Sequence, residues 1–310
     1  MRGRIQVEAC AKLNLGLAVG PRRTDGFHEL ATFFQSVSLV DTLIVTPRRS
    51  GFELVTAYEH AAFRGVARRR ARVPGGAGNL VLRAARLVAG RTGLALGARF
   101  RLVKRIPVRA GLGGGSADGA AAIVALDSLY RLGLGRSGRL ELAAELGSDV
   151  PFALSGGTAL GLGRGERLEP LALDRAFRAV IAVPNWRVST ARAYAAIDRK
   201  KFGLTAWNAK LRFAKKQLAG RLKSSQALEL GNTFERVLGR RRVDFVSLCE
   251  RLRAAGVRSP ALSGSGSAVF GIVEPGKPLS IVARAFEGSE SLFAVHTRRR
   301  GLRFLSGGHS

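Results

Sequence analysis

Acidic residues are scarce in this chain of 310 residues: 22 Asp and Glu stand against 51 Lys and Arg, a formal net charge of +29. Cysteine is scarcer still. Cys10 and Cys249 are its two thiols, and neither stands in a CxxC pair or at zinc-ligand spacing. That argues against a disulfide framework or a cysteine-held metal and suits a reducing compartment. Long apolar runs are missing too, none approaching the ~20 residues of a membrane span. The opening "MRGRIQVEACAKLN" has no apolar core of the signal-peptide kind. The expected setting is the cytoplasm, with no membrane partner. The charge excess raises nucleic acid as a partner. Yet the basic residues are spread along the chain, clustering only briefly at Arg68–Arg70, Arg240–Arg242 and Arg298–Arg300. They read as a solvated surface whose field also favours a polyanionic small substrate. A basic nucleic-acid-binding protein is the rival reading, and it predicts a steep salt dependence of binding.

What is present is enough apolar material, 46% of residues, for a sizeable core in two domains or one large one. No internal repeat appears. The first 46 residues read as strands, and 61–78, rich in Arg, Gly and Pro, as an exposed connection. "NLVLRAARLVAG" has helical spacing, with Asn79 as N-cap and Gly90 as stop. "ARFRLVKRIPV" alternates as a strand, and a long Ala-rich helix is expected from about Ser116 to Leu132. "SGRLELAAELGSDVPF" reads as a further helix stopped by Gly147 and Pro151. The Gly-rich "SGGTALGLGRGERLEPL" marks the boundary between an N-terminal domain, 1–168, and a C-terminal domain, 169–310. Beyond it follow a strand at Ala179–Pro184, helices to about Arg253, the loop "LSGSGSAVFGIV" and a closing helix–strand pair. Strands and helices mix without a steady βαβ rhythm, so the fold class is α+β.

The stretch "IPVRAGLGGGSADGAAAIVAL" carries the most chemistry. Glycines crowd at Gly111, Gly113, Gly114 and Gly115. No Lys follows them, so the P-loop pattern fails, and Ser116 and Asp118 fall where a dinucleotide fingerprint needs Gly. Glycines without Cβ still let backbone N–H groups approach a phosphate, and a helix N-terminus beyond them favours an anion. Ser116 is the expected cap, with Lys104 and Arg105 upstream to neutralise phosphate charge. A plain turn before a tightly packed helix is the alternative, at a considerable cost in backbone entropy.

This loop resembles the glycine-rich ATP loop of the GHMP kinases, the superfamily of galactokinase, homoserine kinase and mevalonate kinase. Three further blocks, "AKLNLGLAVGPRRTDGFHELATFFQSVSLVDTL", "LGSDVPF" and "LSGSGSAVFG", resemble its branch acting on a cytidine diphosphate-linked methylerythritol. The blocks fall in order from residue 11 to 271 and are specific in combination. The resemblance implies a two-domain fold: a ribosomal-S5-domain-2-like N-terminal domain and an α/β-sandwich C-terminal domain. It implies phosphoryl transfer from ATP, with Mg²⁺, to a 2-hydroxyl in the non-mevalonate route to isoprenoids. Other GHMP small-molecule kinases, of the homoserine or mevalonate type, are the alternative within the superfamily. A monomer or weak homodimer is expected.

By the same resemblance, Asp149 accepts the hydroxyl proton and Lys12 is the second catalytic residue. A Lys on an apolar strand is expensive to bury alone, and a Lys12–Asp149 pair relieves that cost. Asn14, two residues on, shares the face of Lys12 and is expected at the substrate. The loop Pro107, Val108, Arg109, Ala110, Gly111, Leu112, Gly113, Gly114, Gly115, Ser116 and Ala117 is expected to hold the ATP phosphates, with Lys104 and Asn79 as lesser contacts. His28 and Phe27 are expected at the cytosine, with Tyr194 as the opposing ring and Thr190 near the substrate phosphates. Gly264 and Gly266 of "SGSG" would offer backbone donors to its diphosphate. No dedicated metal cage stands in the sequence. Two positions depart from the family pattern: Asp118 stands where Asn is usual, and Thr233 where an acidic residue is.

Overall fold

The computed structural model describes residues 3–59, 62, 76–200, 203–274, 276, 278–284, 286 and 290–306. Most of the expected connection 61–78, with Arg68–Arg70, lies outside them. Two long strands, β1 (Ile5–Arg22) and β2 (His28–Pro47), form an antiparallel hairpin at the centre of a seven-stranded sheet. The length of β2 lets one edge serve two partners: Thr42–Pro47 pairs with β4 (Gly97–Lys104), and Leu30–Gln35 with β5 (Thr158–Gly163). β3 (Gly51–Tyr58) lies parallel to β4, and β6 (Arg167–Leu171) turns back on β5. A second sheet runs β10 (Ser291–His296), β7 (Arg178–Val183), β9 (Val269–Val273), β8 (Val257–Leu262), antiparallel throughout. The chain then returns to the first sheet, where β11 (Leu302–Ser306) pairs with β1. This mixture is the expected α+β class.

The helices cover the sheets: α1 (Leu80–Thr92), α2 (Gly114–Tyr130), α3 (Gly135–Leu146) and α4 (Val150–Ser155) come first. They are followed by α5 (Thr190–Lys200), α6 (Leu204–Lys216), α7 (Ser224–Glu229), α8 (Arg241–Ala254) and α9 (Leu279–Arg284). Ile5, Val7, Leu43 and Phe100 pack against Val81, Ala84 and Ala121 of α1 and α2. Leu13, Leu15 and Phe33, further along the same long strands, pack with Ile181 and Phe270 of the second sheet. The far side of that sheet meets Phe245, Leu248 and Leu252 of α8. β1 therefore serves two cores. Its register against β2 jumps by two residues between Cys10, opposite Val40, and Ala11, opposite Val37, where its buried residues pass from the first core (Ala9) to the second (Ala11). Lys12 and Asn14 stand just past that slip, on the side of α2.

Several local expectations shift. Gly90 is inside α1; the helix ends at Gly93, left-handed at φ 67, because the next αL-capable residue closes the final turn. The Ala-rich helix starts at Gly114, and its N-cap is Gly113 at φ 70, so Ser116 lies in the first turn and does not cap it. Pro151 begins a helix where the sequence suggested an end. It sits in the first turn of α4, where its missing N–H costs nothing.

Candidate functional site

A cleft of about 1410 Å³ opens between the N-terminal half of β2, the glycine loop, α5 and the loop 263–267. Each glycine of the loop has its own neighbour. A Cβ on Gly111 would stand 2.1 Å from the Ser263 carbonyl oxygen, and one on Gly113 2.8 Å from Cγ of Lys12. One on Gly114 would meet Ile106 at 2.9 Å and the Lys104 ammonium at 3.2 Å. These close approaches, with the positive φ of Gly111 and Gly113, exclude side chains here. The loop is tied down on both sides. The Lys12 N–H donates to the Leu112 carbonyl (3.0 Å), the Ala268 N–H to that of Ala110 (3.0 Å), and the Ser263 hydroxyl to that of Gly111 (3.0 Å). Of the expected phosphate loop, Arg109, Gly111, Gly113 and Ser116 face the cleft. Ala110, Leu112 and Ala117 are buried and serve to anchor it. Pro107, Val108, Gly114 and Gly115 are not among the cleft-lining residues.

Lys12 Nζ lies 3.4 Å from Asp149 Oδ2, so two residues 137 positions apart meet where β1 passes the loop. Three contacts orient the ammonium: a hydrogen bond to Asn14 Oδ1, the Phe34 ring with its centroid at 5.4 Å, and the carboxylate itself. Asn14 is held in turn by Thr32 at 2.8 Å. Asp149 occupies the N-cap position of α4, yet its side chain makes no cap hydrogen bond and remains turned to the cleft. Phe152, one turn on, stacks on Phe34 at 4.7 Å and fixes the helix against the strand that faces Lys12. The pair therefore sits beside the glycine loop, where a cation and a carboxylate can act on the same incoming oxygen.

The other end of the cleft is built on the turn between β1 and β2. The Phe27 N–H donates to Asp25 Oδ1 (3.1 Å) and the Arg23 N–H to the Phe27 carbonyl (2.7 Å), while Arg23 bridges Asp25 and Glu29. This leaves Phe27 half exposed, its ring under the Arg164 guanidinium at 4.9 Å. His28 Nε2 meets Asp198 Oδ1 of α5 at 2.7 Å, and its ring stacks on Tyr194 at 5.1 Å. Tyr194 meets Phe234 edge-on at 5.0 Å. Burial, and then the Asp149 charge, push its phenol up to about 12, so it stays a neutral donor. Thr190 Oγ1 lies 2.8 Å from Ser265 Oγ, placing the start of α5 against the loop that carries Gly264 and Gly266.

Three expected phosphate contacts are engaged elsewhere. Lys104 is 3% exposed and donates to both Asp41 and Asp118, the latter at 2.7 Å. Burial opposes its charge, but the carboxylates of Asp118 and Asp41 outweigh that and hold its pKa above the usual Lys value. It supports the loop from beneath. Arg105 points to Glu59 and Thr42. Asn79 caps α1 by accepting from the Val81 N–H (2.9 Å) and does not line the cleft. Asp118 finds its counter-charge in Lys104, and Thr233 accepts from the Val19 N–H (3.1 Å) as a packing residue.

Sequence reasoning missed three participants. Asn232 donates to the carbonyls of Leu262 (2.8 Å) and Gly264 (2.9 Å), bracing the "SGSG" loop. Asp198 and Arg164 join as described above. Only Asn232 left a signal, as the Asn of "GNTFE". Among the described residues, eight Lys and Arg side chains line the cleft against two carboxylates, Asp149 and Asp198. Part of the chain's basic excess thus faces the site, which suits a polyanionic ligand.

Residues 79–157 match the family described as GHMP kinases N terminal domain. A 4-diphosphocytidyl-2-C-methyl-D-erythritol kinase of Pelotomaculum thermopropionicum is 41% identical over 85% of this chain and 87% of its own length. One of Thermobifida fusca is 38% identical over 92% of each. A crystal structure of 4-(cytidine 5'-diphospho)-2C-methyl-D-erythritol kinase superposes with a TM-score of 0.69 at 35% identity, covering 94% of this chain and 98% of that one. Homoserine kinase from Cytophaga hutchinsonii, at 17% identity and a TM-score of 0.70 over 98% of both chains, shares the fold.

Proposed function

The chain belongs to the 4-diphosphocytidyl-2-C-methyl-D-erythritol kinases, and on that premise we infer how its cleft carries out the transfer. It is a small-molecule kinase that moves the γ-phosphoryl group of ATP to the 2-hydroxyl of the cytidyl-diphosphate sugar alcohol. The observation that carries the residue assignment is the Lys12–Asp149 pair, 3.4 Å apart beside the glycine loop that lines the cleft. In this reading the loop around Gly111 and Gly113 holds the ATP phosphates, and Arg109 adds a cation. The acceptor hydroxyl enters between Asp149 and the γ-phosphorus. Asp149 takes its proton as the new O–P bond forms and the bond to the β-phosphate oxygen breaks, releasing ADP. Lys12, oriented by Asn14 and 3.4 Å from Asp149, neutralises charge on the transferring group.

Mg²⁺ would arrive on the ATP phosphates and offset their charge, as such ions commonly do with one or two protein carboxylates. Among the described residues no group of three or more His, Cys, Asp or Glu gathers to hold an ion, and Asp149 is the cleft carboxylate beside the loop that fits one. At the far end, Phe27, His28 and Tyr194 face the cytosine, while Thr190 and the backbone at Gly264 and Gly266 face the substrate's phosphates. The basic lining supports that assignment.

ADP release with 4-diphosphocytidyl-2-C-methyl-D-erythritol, homoserine and mevalonate as acceptors tests the reading. Turnover is expected with the first alone, and Asp149→Asn should lower kcat by about 10²–10⁴ while the protein stays folded. Turnover of homoserine or mevalonate in its place refutes the substrate, and an active Asp149→Asn refutes the base.

A further inference from the structure

Ser263 has no part in the transfer as described, yet its side chain joins the catalytic strand to the ATP loop. The hydroxyl is fully buried and works in both directions: it accepts from the Asn14 N–H (3.3 Å) and donates to the Gly111 carbonyl (3.0 Å). We infer that Ser263 is a positioning residue that locks the ATP loop to the acceptor side of the cleft, so that nucleotide and acceptor bind with positive coupling. The inference rests on the placement of the two ligands given above.

The two glycine loops meet backbone to backbone. A Cβ on Gly264 would stand 3.2 Å from the Gly111 carbonyl oxygen and 3.4 Å from Asn14 Oδ1. One on Gly111 would stand 3.3 Å from the Gly266 nitrogen, besides its clash with Ser263. With no side chain between them to absorb a shift, a displacement of one loop has to be taken up by the other. Among the described residues, the ties to Ala110 and Leu112 are backbone bonds from Ala268 and Lys12. The tie to Gly111 comes from the Ser263 side chain, so a substitution can remove it while the chain path is kept.

The acceptor half of this joint is braced from behind. Leu262, just before Ser263, is held at both backbone groups: its N–H donates to Glu235 Oε1 (2.9 Å), and its carbonyl accepts from Asn232 (2.8 Å). The Ser263 N–H donates to the Ala268 carbonyl (2.9 Å) and closes the loop, while Ser265 meets Thr190 at 2.8 Å. A ligand that orders Gly264 and Gly266 thereby fixes the Ser263 hydroxyl, and through it the Gly111 carbonyl. The second ligand then meets a loop already in place, and its ordering cost is smaller.

The test measures binding of adenylyl imidodiphosphate, a non-hydrolysable ATP analogue, with Mg²⁺ to the full chain. Its Kd is taken without and with saturating 4-diphosphocytidyl-2-C-methyl-D-erythritol, and then the roles are reversed. Wild type is expected to bind each ligand about fivefold or more tightly in the presence of the other, by one factor in both directions, and Ser263→Ala to bring that factor below about twofold. Hydrogen–deuterium exchange on the wild type does not depend on how the variant folds: the analogue alone should slow exchange across residues 262–268. A wild-type factor of one, or exchange there that the analogue leaves unmoved, overturns the inference. So does a Ser263→Ala protein that weakens both ligands yet keeps the factor, since Ser263 is then structural only. Wild-type protein that binds the analogue but not the acceptor refutes the substrate reading and the inference with it, a result distinct from the absence of coupling between two bound ligands.

Discussion

Replacing Lys104 by Met removes the one cation in a cluster of two buried carboxylates. Lys104 is 3% exposed, Asp41 0% and Asp118 4%, so water does not stand in for the lost ammonium. The two carboxylates are unequally prepared for the loss. Asp41 keeps the N–H groups of Arg105 (2.6 Å) and Ile106 (2.9 Å). Asp118 keeps nothing, since its Oδ1 has no partner and its Oδ2 has Lys104. Breaking a buried pair by deleting one side costs about 3–5 kcal/mol. For a chain of this size that lowers Tm by about 6–15 °C. The readouts are thermal unfolding and a guanidinium chloride titration of the wild type, Lys104→Met and Lys104→Met/Asp118→Asn. The double variant should recover a large part of the loss, because a neutral amide replaces the stranded carboxylate. The ammonium also lies against Gly114, so the single variant should raise KM for ATP as the loop settles. A loss below about 1 kcal/mol, with no recovery in the double variant, would refute a cation that holds two dry carboxylates together.

The same cluster makes stability depend on pH. Burial, reinforced by the Asp41 charge, holds the Asp118 carboxyl well above its ordinary value despite Lys104. The folded chain therefore binds a proton there that the unfolded chain has released. This contribution is complete below about pH 3.9, the ordinary carboxyl value, and is lost as pH rises through the folded value. Unfolding free energies measured upward from pH 4 should lose that falling component in Asp118→Asn; superimposable slopes for the two proteins would remove the explanation. Gly113→Ala should lower kcat at least tenfold, because its Cβ would stand 2.8 Å from Lys12 Cγ at a φ of 70. Coupled ADP assays detect it, and an unchanged kcat would mean the Lys12 position does not matter. Asn232→Ala strands the carbonyls of Leu262 and Gly264, costing about 1–3 kcal/mol. It should raise KM for the cytidyl substrate but not for ATP; equal rises in both would count against a local role.

Much of the site was legible because its residues sit in short blocks with strong local logic. "AKLN" puts Lys12 and Asn14 on one face of a strand, and "GLGGG" requires close backbone approach. The long strands, the Ala-rich helix and the α+β class followed from periodicity and from breakers. Where a helix starts was less legible. Gly113 is the N-cap of α2 and Pro151 lies in the first turn of α4, and a breaker at a helix start cannot be told from a stop without knowing which way the chain continues. Lys104 misled for another reason. A Lys beside a phosphate loop reads as a phosphate ligand until Asp41, 63 residues away, is brought to it through the pairing of β2 with β4.

The sequence by itself determined the family, the side-chain-free glycine loop and which residues carry charge at the centre, since these depend on residue types at fixed local spacing. Tertiary structure decided the partners. It set Asp149 on Lys12, tied Lys104 to Asp41 and Asp118, and stacked Tyr194 on His28, leaving Phe27 to Arg164. Such pairings join residues far apart in the chain, and no local pattern encodes them. They follow from strand register and from the exclusion of water, which together leave each buried charge one place to go.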